Sequence, residues 1–323
     1  MTVTLESAHL TVTVELDRGG EISSVRSVSG ANALSYFDWA APIPDGPSFG
    51  ATERDWLTKY RAGWQFLFPN SGAESVWGGT AVAFHGEASL APVRLVEQER
   101  TRLTVRTGAR LPLELTRSIR LSDDGPTLFV EERVTNVGAE TVPFLWGHHP
   151  TFPAVPGAHL DMPHAHFDVE PATPGDLRAT RGIWPAAVNA RSGDDVDLSV
   201  IPETDMVRLV YLYGLHEGWA ALRNPIGAAL PGVAMAWDVE AYPELWIWLQ
   251  NGDNSFPWYG RARMIGIEPQ RYHPFDGLAG AVERNQAVIV GPGETVASWL
   301  TMSLLSDHRP VTAMSRSGAV SHA

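Results

Sequence analysis

The segment HLTVTVEL (residues 9–16) alternates apolar and polar side chains, and the turn sequence DRGG (17–20) separates it from EISSVRSV (21–28). A period of two places successive side chains on opposite faces of an extended strand, and the Asp/Gly turn folds the second run back on the first. The same grammar continues outward. SLAPVRLVEQE (89–99), TRLTVRTG (101–108), LELTRSIRL (113–121), TLFVEERVTN (127–136) and TVPFLWGHH (141–149) follow one another, punctuated by Gly, Asp, Asn or Pro. Beyond them come DLSVIPETDMVRLVYLYGL (197–215), WAALRNP (219–225), AMAWDVE (234–240), ELWIWLQ (244–250), RMIGIEP (263–269), QAVIVGPG (286–293) and TVASWLTMSL (295–304). Strands are not separated by helical patterns of about 10–15 residues, so the sequence predicts an all-β, antiparallel fold.

The 323 residues, 44% hydrophobic, suffice for a substantial core. The expectation is one β-sandwich catalytic domain over residues 1–305, with the polar segment 306–323 as a flexible C-terminal tail. Residues 153–205, rich in Pro, Gly, Ala and Asp, read as long loops of the sandwich that shape a pocket. Residues 36–80 read as irregular, with Pro42, Pro44, Pro47, Pro69 and the glycines Gly72, Gly78 and Gly79. The twelve tryptophans divide between a sheet-to-sheet core, which should take most of them, and a sugar-stacking wall.

A formal charge of -13 without a dense basic run argues against a nucleic-acid partner. No apolar run approaches the roughly 18 residues of a membrane span, and the N-terminal stretch lacks a basic region followed by an apolar block. There is no cysteine, which excludes disulfides, thiol nucleophiles and thiolate metal ligands and fits a cytoplasmic setting.

Three segments carry groups suited to proton transfer. His85 in FHGE precedes a glycine that lets backbone or ligand approach closely; it reads either as a pocket imidazole or as a loop tether. In WGHHPTF, adjacent strand residues point to opposite faces, so His148 and His149 should divide, one toward a pocket and one into packing. HHP lacks the helical spacing of a zinc motif, so no metal is expected. Glu268, between Ile267 and Pro269, is either a desolvated general base or half of an ion pair with Arg261, Arg263 or Arg271. Asp238 and Glu240 fit ligand hydroxyls or ordinary surface positions. GPGE (291–294) reads as a turn before the strand that follows, not a phosphate cradle, and there is no GxSxG nucleophile elbow.

The ordered set WQFLFPNSG (64–72), FHGE (84–87), TNVG (135–138), LWGHHPTF (145–152) and IGIEPQ (265–270), with GPGE before TVASWLTMSL, resembles the aldose 1-epimerase, or galactose mutarotase-like, superfamily. That resemblance implies a large antiparallel β-supersandwich binding a monosaccharide or modified monosaccharide in a cleft. It implies His85 as a sugar-positioning histidine, His149 as general acid and Glu268 as general base. Within the resemblance, the family's histidine-to-phenylalanine spacing is met by His149 and Phe152, which favours His149 over His148, left to support or touch substrate. Glu268 would take the proton of the anomeric O1 hydroxyl while His149 protonates ring O5, from different sides of the reacting centre. Ring opening, rotation about C1–C2 and closure then give the other anomer, with no cofactor, metal or covalent intermediate.

The sequence also departs from the family. Phe84 stands where the best-known galactose mutarotases have Asn before the first histidine. Arg61 and Asp238 are candidates for the family's substrate-binding arginine and aspartate, and Gln250 with Asn251 for hydroxyl binding. A phosphorylated or sulfonated sugar is accommodated if Arg54, Lys59 or Arg61 enters the cleft. Two other readings stay open: a non-catalytic carbohydrate-binding or sensing protein, and hydrolase or lyase chemistry on the same scaffold.

Overall fold

A computed structural model describes residues 1–28, 30–37, 52–178 and 180–323. Pro42, Pro44 and Pro47 of the irregular stretch lie outside the described residues. Two large sheets, of twelve and eight strands, are joined throughout by antiparallel pairing. The opening hairpin is formed as its alternation requires: Leu10–Glu15 pairs with Glu21–Ser27 across the Gly19–Gly20 turn, and the apolar members Leu10, Val12 and Val14 are fully buried. At Gly19, with φ +63°, a Cβ would meet the Ala88 carbonyl at 2.5 Å, so the turn demands glycine.

The eight-stranded sheet behaves as a one-faced sheet. Leu113–Leu121 and Thr127–Asn136 alternate between core and periphery in register with each other. The centre of the twelve-stranded sheet is different. Gly147–Pro153, Glu244–Asn251 and Arg263–Gln270 are buried along nearly their whole length. One face of these strands packs on the eight-stranded sheet. The other is roofed by the helix Glu53–Lys59, the turn at His85 and the loop carrying Phe275. Strands buried on both faces therefore mark where a site lies between sheet and roof.

Three expectations about non-strand segments change. Residues 36–80, read as irregular, hold among their described residues the helix Glu53–Lys59 and the strands Trp64–Leu67 and Ser75–Trp77. Residues 153–205 are not simply loops, since they contribute five short strands including His166–Val169, which extends the twelve-stranded sheet beside Met206–Tyr213. The supposed tail is a hairpin, Val311–Met314 against Val320–His322. Val311 and Met314 cover Trp219 and the alanines Ala221, Ala234 and Ala236, whose small side chains leave a shallow apolar surface on the eight-stranded sheet. The hairpin is pinned by Thr301 Oγ1 donating to the Arg316 carbonyl (2.8 Å) and by the Val311 amide on Asp161 (2.9 Å). A polar composition here reflects the hairpin's outer face. No described helix is long and apolar enough to cross a membrane.

Candidate active site

Strand register assembles the site. Gln65 pairs with His149, and Glu268 pairs with Trp246, which pairs with Tyr211, which pairs with Asp168. Directly opposed residues share a face, so His149, Glu268, Trp246 and Tyr211 project to the roofed side. His149, Glu268 and Trp246 open on a cavity of about 260 Å³, lined also by Glu53, Trp56, Phe84, His85, Trp248 and Phe275 among others. That is near the lower end of ligand pockets, which run from roughly 300 Å³, and suits one small molecule.

His149 and Glu268 meet inside it, Nε2 to Oε1, at 3.5 Å. The separation is too long for a well-formed hydrogen bond, and both His149 Nδ1 and Glu268 Oε1 are buried without a hydrogen-bond partner. Such orphaned polar atoms are costly unless a ligand engages them. Burial among Trp56, Tyr60 and Trp248, whose rings lie 5.4–5.5 Å from the imidazole, holds His149 neutral, its pKa driven down to about 3. Burial pushes Glu268 well above the ordinary carboxylate value, against a weaker opposing hydrogen bond from Gln270. The pair together therefore holds one proton. Of the arginines proposed as its partners, Arg263 pairs with Asp205 (2.7 Å) and Arg271 holds the carbonyls of Glu240 and Gln286.

His85 enters from the roof. Its amide donates to the Gly72 carbonyl (2.9 Å) and its Nδ1 accepts the Gly72 amide (3.1 Å), so the neutral ring carries its proton on Nε2. The residue adopts φ 55°, a left-handed conformation uncommon outside glycine. At Gly86 a Cβ would lie 2.1 Å from the Phe68 carbonyl. Asn70 fixes this loop, donating to the Ala73 and Ala83 carbonyls and accepting from the Leu278 amide. Burial, then the nearby His149, pushes the His85 pKa down.

The other expected residues lie elsewhere. His148 points to the opposite face, into the layer between the sheets. Trp64 Nε1 donates to its Nδ1 (3.0 Å), which leaves Nε2–H for Glu132 (3.0 Å); the contact is thus a hydrogen bond from a neutral imidazole. Asp238 follows Val233–Trp237, a strand of the eight-stranded sheet, and its Oδ1 caps the Glu240 amide. Gln250 shares the face of Trp246 and Trp248, but its Nε2 donates to Asp253 (3.2 Å), its Oε1 is buried without a partner, and it does not line the cavity. Arg54, Lys59 and Arg61 are not among the lining residues either; Arg61 acts electrostatically on Glu21.

Glu21 offers a separate test. It is buried with Gln65 (3.1 Å) and Arg18 (3.2 Å), and burial raises its pKa from 4.5 to about 7 despite Arg18. Between those values the unfolded chain loses this proton while the folded chain keeps it, so stability falls as pH rises through the window. Glu21→Gln removes the penalty. The variant is expected to match the parent near pH 4.5 and below, and to gain up to about 3 kcal/mol by about pH 8 in urea unfolding. A gain independent of pH would contradict this.

Sequence reasoning missed Trp56, Glu170 and Phe275 as lining residues. Trp56 sits on a helix whose start is signalled by the Thr52/Asp55 capping box. Glu170 and Phe275 lie on loops with no comparable signal.

No protein-family model matches the chain, and no curated protein matches it. Solved structures do. A Synechocystis sp. PCC 6803 protein superposes with TM-score 0.67 at 18% identity, over 95% of this chain and 96% of that one. A galactose mutarotase related enzyme from Lactobacillus acidophilus gives 0.59 at 19% identity, over 97% and 100%. The fold is that of the galactose mutarotase-like proteins. A galactose mutarotase-like protein from Lactobacillus casei agrees, with TM-score 0.57 at 19% identity over 94% of this chain and all of that one. The expected supersandwich is therefore the observed architecture.

Proposed function

We propose that the protein is an aldose 1-epimerase, interconverting the α and β anomers of an aldose by acid/base ring opening and closure. The observation that carries this reading is the His149–Glu268 pair, 3.5 Å apart in a buried cavity, each with an unpartnered polar atom and together holding one proton. The reaction moves one proton onto ring O5 and takes one from the O1 hydroxyl, so acid and base together need one transferable proton. O1 and O5 are bonded to the same carbon. Two groups on adjoining strands suit that geometry better than groups on different sides of the centre, which is the arrangement the sequence suggested.

For the step, the one proton that burial places on Glu268 must first pass to His149, which leaves Glu268 ionised as the base. His149 protonates O5 as the C1–O5 bond breaks, Glu268 takes the O1 proton, and the C1–O1 bond becomes a carbonyl. After rotation about C1–C2 the transfers reverse. The Nε2–H of His85 is left to hold a sugar oxygen, and Trp56, Trp246 and Trp248 supply apolar faces for the ring. Closing the sugar between sheet and roof keeps water from the open aldehyde.

Polarimetry or NMR of freshly dissolved aldoses tests the reading against the spontaneous rate. Acceleration with unchanged product mass is expected; binding without acceleration would favour a sugar-sensing role, and a change of mass would favour hydrolase or lyase chemistry. Gly266 supplies a finer test. A Cβ there would lie 2.2 Å from Glu268 Oε1, the far end of a side chain that can swing. Gly266→Ala should leave the melting temperature nearly unchanged and cut kcat on the order of 100-fold, the usual consequence of a misplacement of about 1 Å. An unaltered kcat would mean that the seat of the carboxyl does not matter.

A further inference from the structure

The ionisable side chains around the cavity are mostly acidic. Among the described lining residues there are three carboxyl groups, Glu53, Glu170 and Glu268, and no lysine or arginine. Residues 38–51 contain Asp38 and Asp45 but no Lys, Arg or His, so that segment brings no cation to any position. Burial holds the two lining imidazoles and the Glu268 carboxyl uncharged, which leaves Glu53 and Glu170 as the carboxyl groups at the rim.

Glu170 stands at the rim in a fixed pose. Tyr211, from the site face of the sheet, donates its hydroxyl to Glu170 Oε2, and the Ala172 amide donates to Oε1 (3.1 Å). Each oxygen retains a lone pair for a further donor. Beyond it the same face continues with Asp168 and Glu244, which flank His273 at 3.8 and 2.8 Å and, against burial, raise its pKa. The inner walls are the rings of Trp56, Phe84, Trp246, Trp248 and Phe275. Aromatic faces with a carboxylate at their edge form a setting for an organic cation, through ring quadrupoles and a charge-assisted hydrogen bond. The same setting repels phosphate or sulfonate.

We propose that this cavity takes an aldose carrying an ammonium group, an amino sugar, in preference to its neutral and anionic counterparts, with Glu170 as the carboxylate that meets the charge. The proposal rests on the mutarotase reading for its sugar. The buried, unpartnered atoms of His149 and Glu268 mark the cavity as a place for a polar ligand independently of the carboxylates at its rim.

Binding and turnover separate the two ideas. Three tryptophans line the cavity, so quenching of intrinsic fluorescence reports occupancy whether or not catalysis follows. Glucosamine, N-acetylglucosamine, glucose and glucose 6-phosphate would be titrated at about pH 6, where an aliphatic amine keeps its proton. Glucosamine is expected to bind at least about tenfold more tightly than glucose or N-acetylglucosamine, and glucose 6-phosphate most weakly. Glu170→Gln should shrink the glucosamine-to-glucose ratio by about tenfold, and added salt should shrink it in the parent protein. Equal binding of glucosamine and glucose, tightest binding of glucose 6-phosphate, a ratio unchanged by Glu170→Gln, or no binding at all would overturn the proposal. Ammonium-selective binding with no anomeric acceleration of any of the four sugars would leave it standing and remove the mutarotase reading instead.

Discussion

Glu268→Gln is expected to lower kcat for anomerisation by a factor of roughly 100 to 10,000, the range associated with losing one positioned acid/base group. The substitution preserves size and removes only the titrating oxygen. Because burial already keeps the Glu268 carboxyl protonated well beyond its ordinary range, the variant should fold as well as the parent. The pH profile distinguishes lost chemistry from lost structure. Under the proposed mechanism the parent's pair works with one proton, so its rate should fall in acid when His149 takes a second and in alkali when the last leaves. His149 is held down to about 3, which places the acid limb below the normal histidine range and leaves kcat flat where a solvent-exposed imidazole would titrate. The alkaline limb belongs to the raised Glu268 and should vanish with its replacement. Undiminished turnover by Glu268→Gln, with the alkaline limb intact, would remove this residue from the mechanism.

The strands were readable because both alternation and its absence carry physical information. LELTRSIRL alternates because one face is core, and ELWIWLQ and RMIGIEP run almost continuously apolar because both faces are covered. That continuity already pointed at the site, since Glu268 is a carboxyl in a strand with no solvent face. The split between His148 and His149 followed from the pleat alone, and the structure places the two rings on opposite faces. Asp238 went wrong because AMAWDVE reads the same in either sheet, and only the tertiary pairing of Val233–Trp237 with Thr295–Leu304 removes it from the cavity. Gln250 had the right face but lies farther along the strand, beside Asp253. Glu170 was illegible because a rim position depends on where a loop lands, which no local pattern encodes. The C-terminal hairpin was hidden for a related reason. Its two buried anchors, Val311 and Met314, are too few to give a period, and the alanines they cover are distant in sequence.

Glu132→Leu is expected to cost about 3–5 kcal/mol of stability, the penalty for stranding one member of a buried charged network. Glu132 lies on Thr127–Asn136 of the eight-stranded sheet and collects groups from both layers. Arg117 approaches to 3.2 Å, His148 donates from the twelve-stranded sheet at 3.0 Å, and Tyr242 donates at 2.8 Å. Burial pushes this carboxyl up, but His148, Arg117 and Tyr242 outweigh it and hold its pKa below the ordinary value. The contribution is therefore present at neutral pH and is lost as pH falls through that lowered value. Leucine would leave Arg117, which packs over the Phe66 ring at 4.7 Å, as an uncompensated buried cation. Adding Arg117→Met should recover a large part of the loss, because apolar replacement of a whole buried pair is far milder than removal of half of it. Urea unfolding of the parent, both single variants and the double variant measures this directly. A loss below about 1 kcal/mol for Glu132→Leu, or full additivity in the double variant, would show that the network does not join the sheets. The network bears on the proposed catalysis as well as on stability. His148 is the covalent neighbour of His149, so the same bonds that clamp its ring between the layers set the backbone from which the proposed acid projects. Glu132→Leu should accordingly lower kcat without a change in the charge selectivity of binding, and Arg117→Met in the same chain should not restore the lost hydrogen bond or the kcat that depends on it.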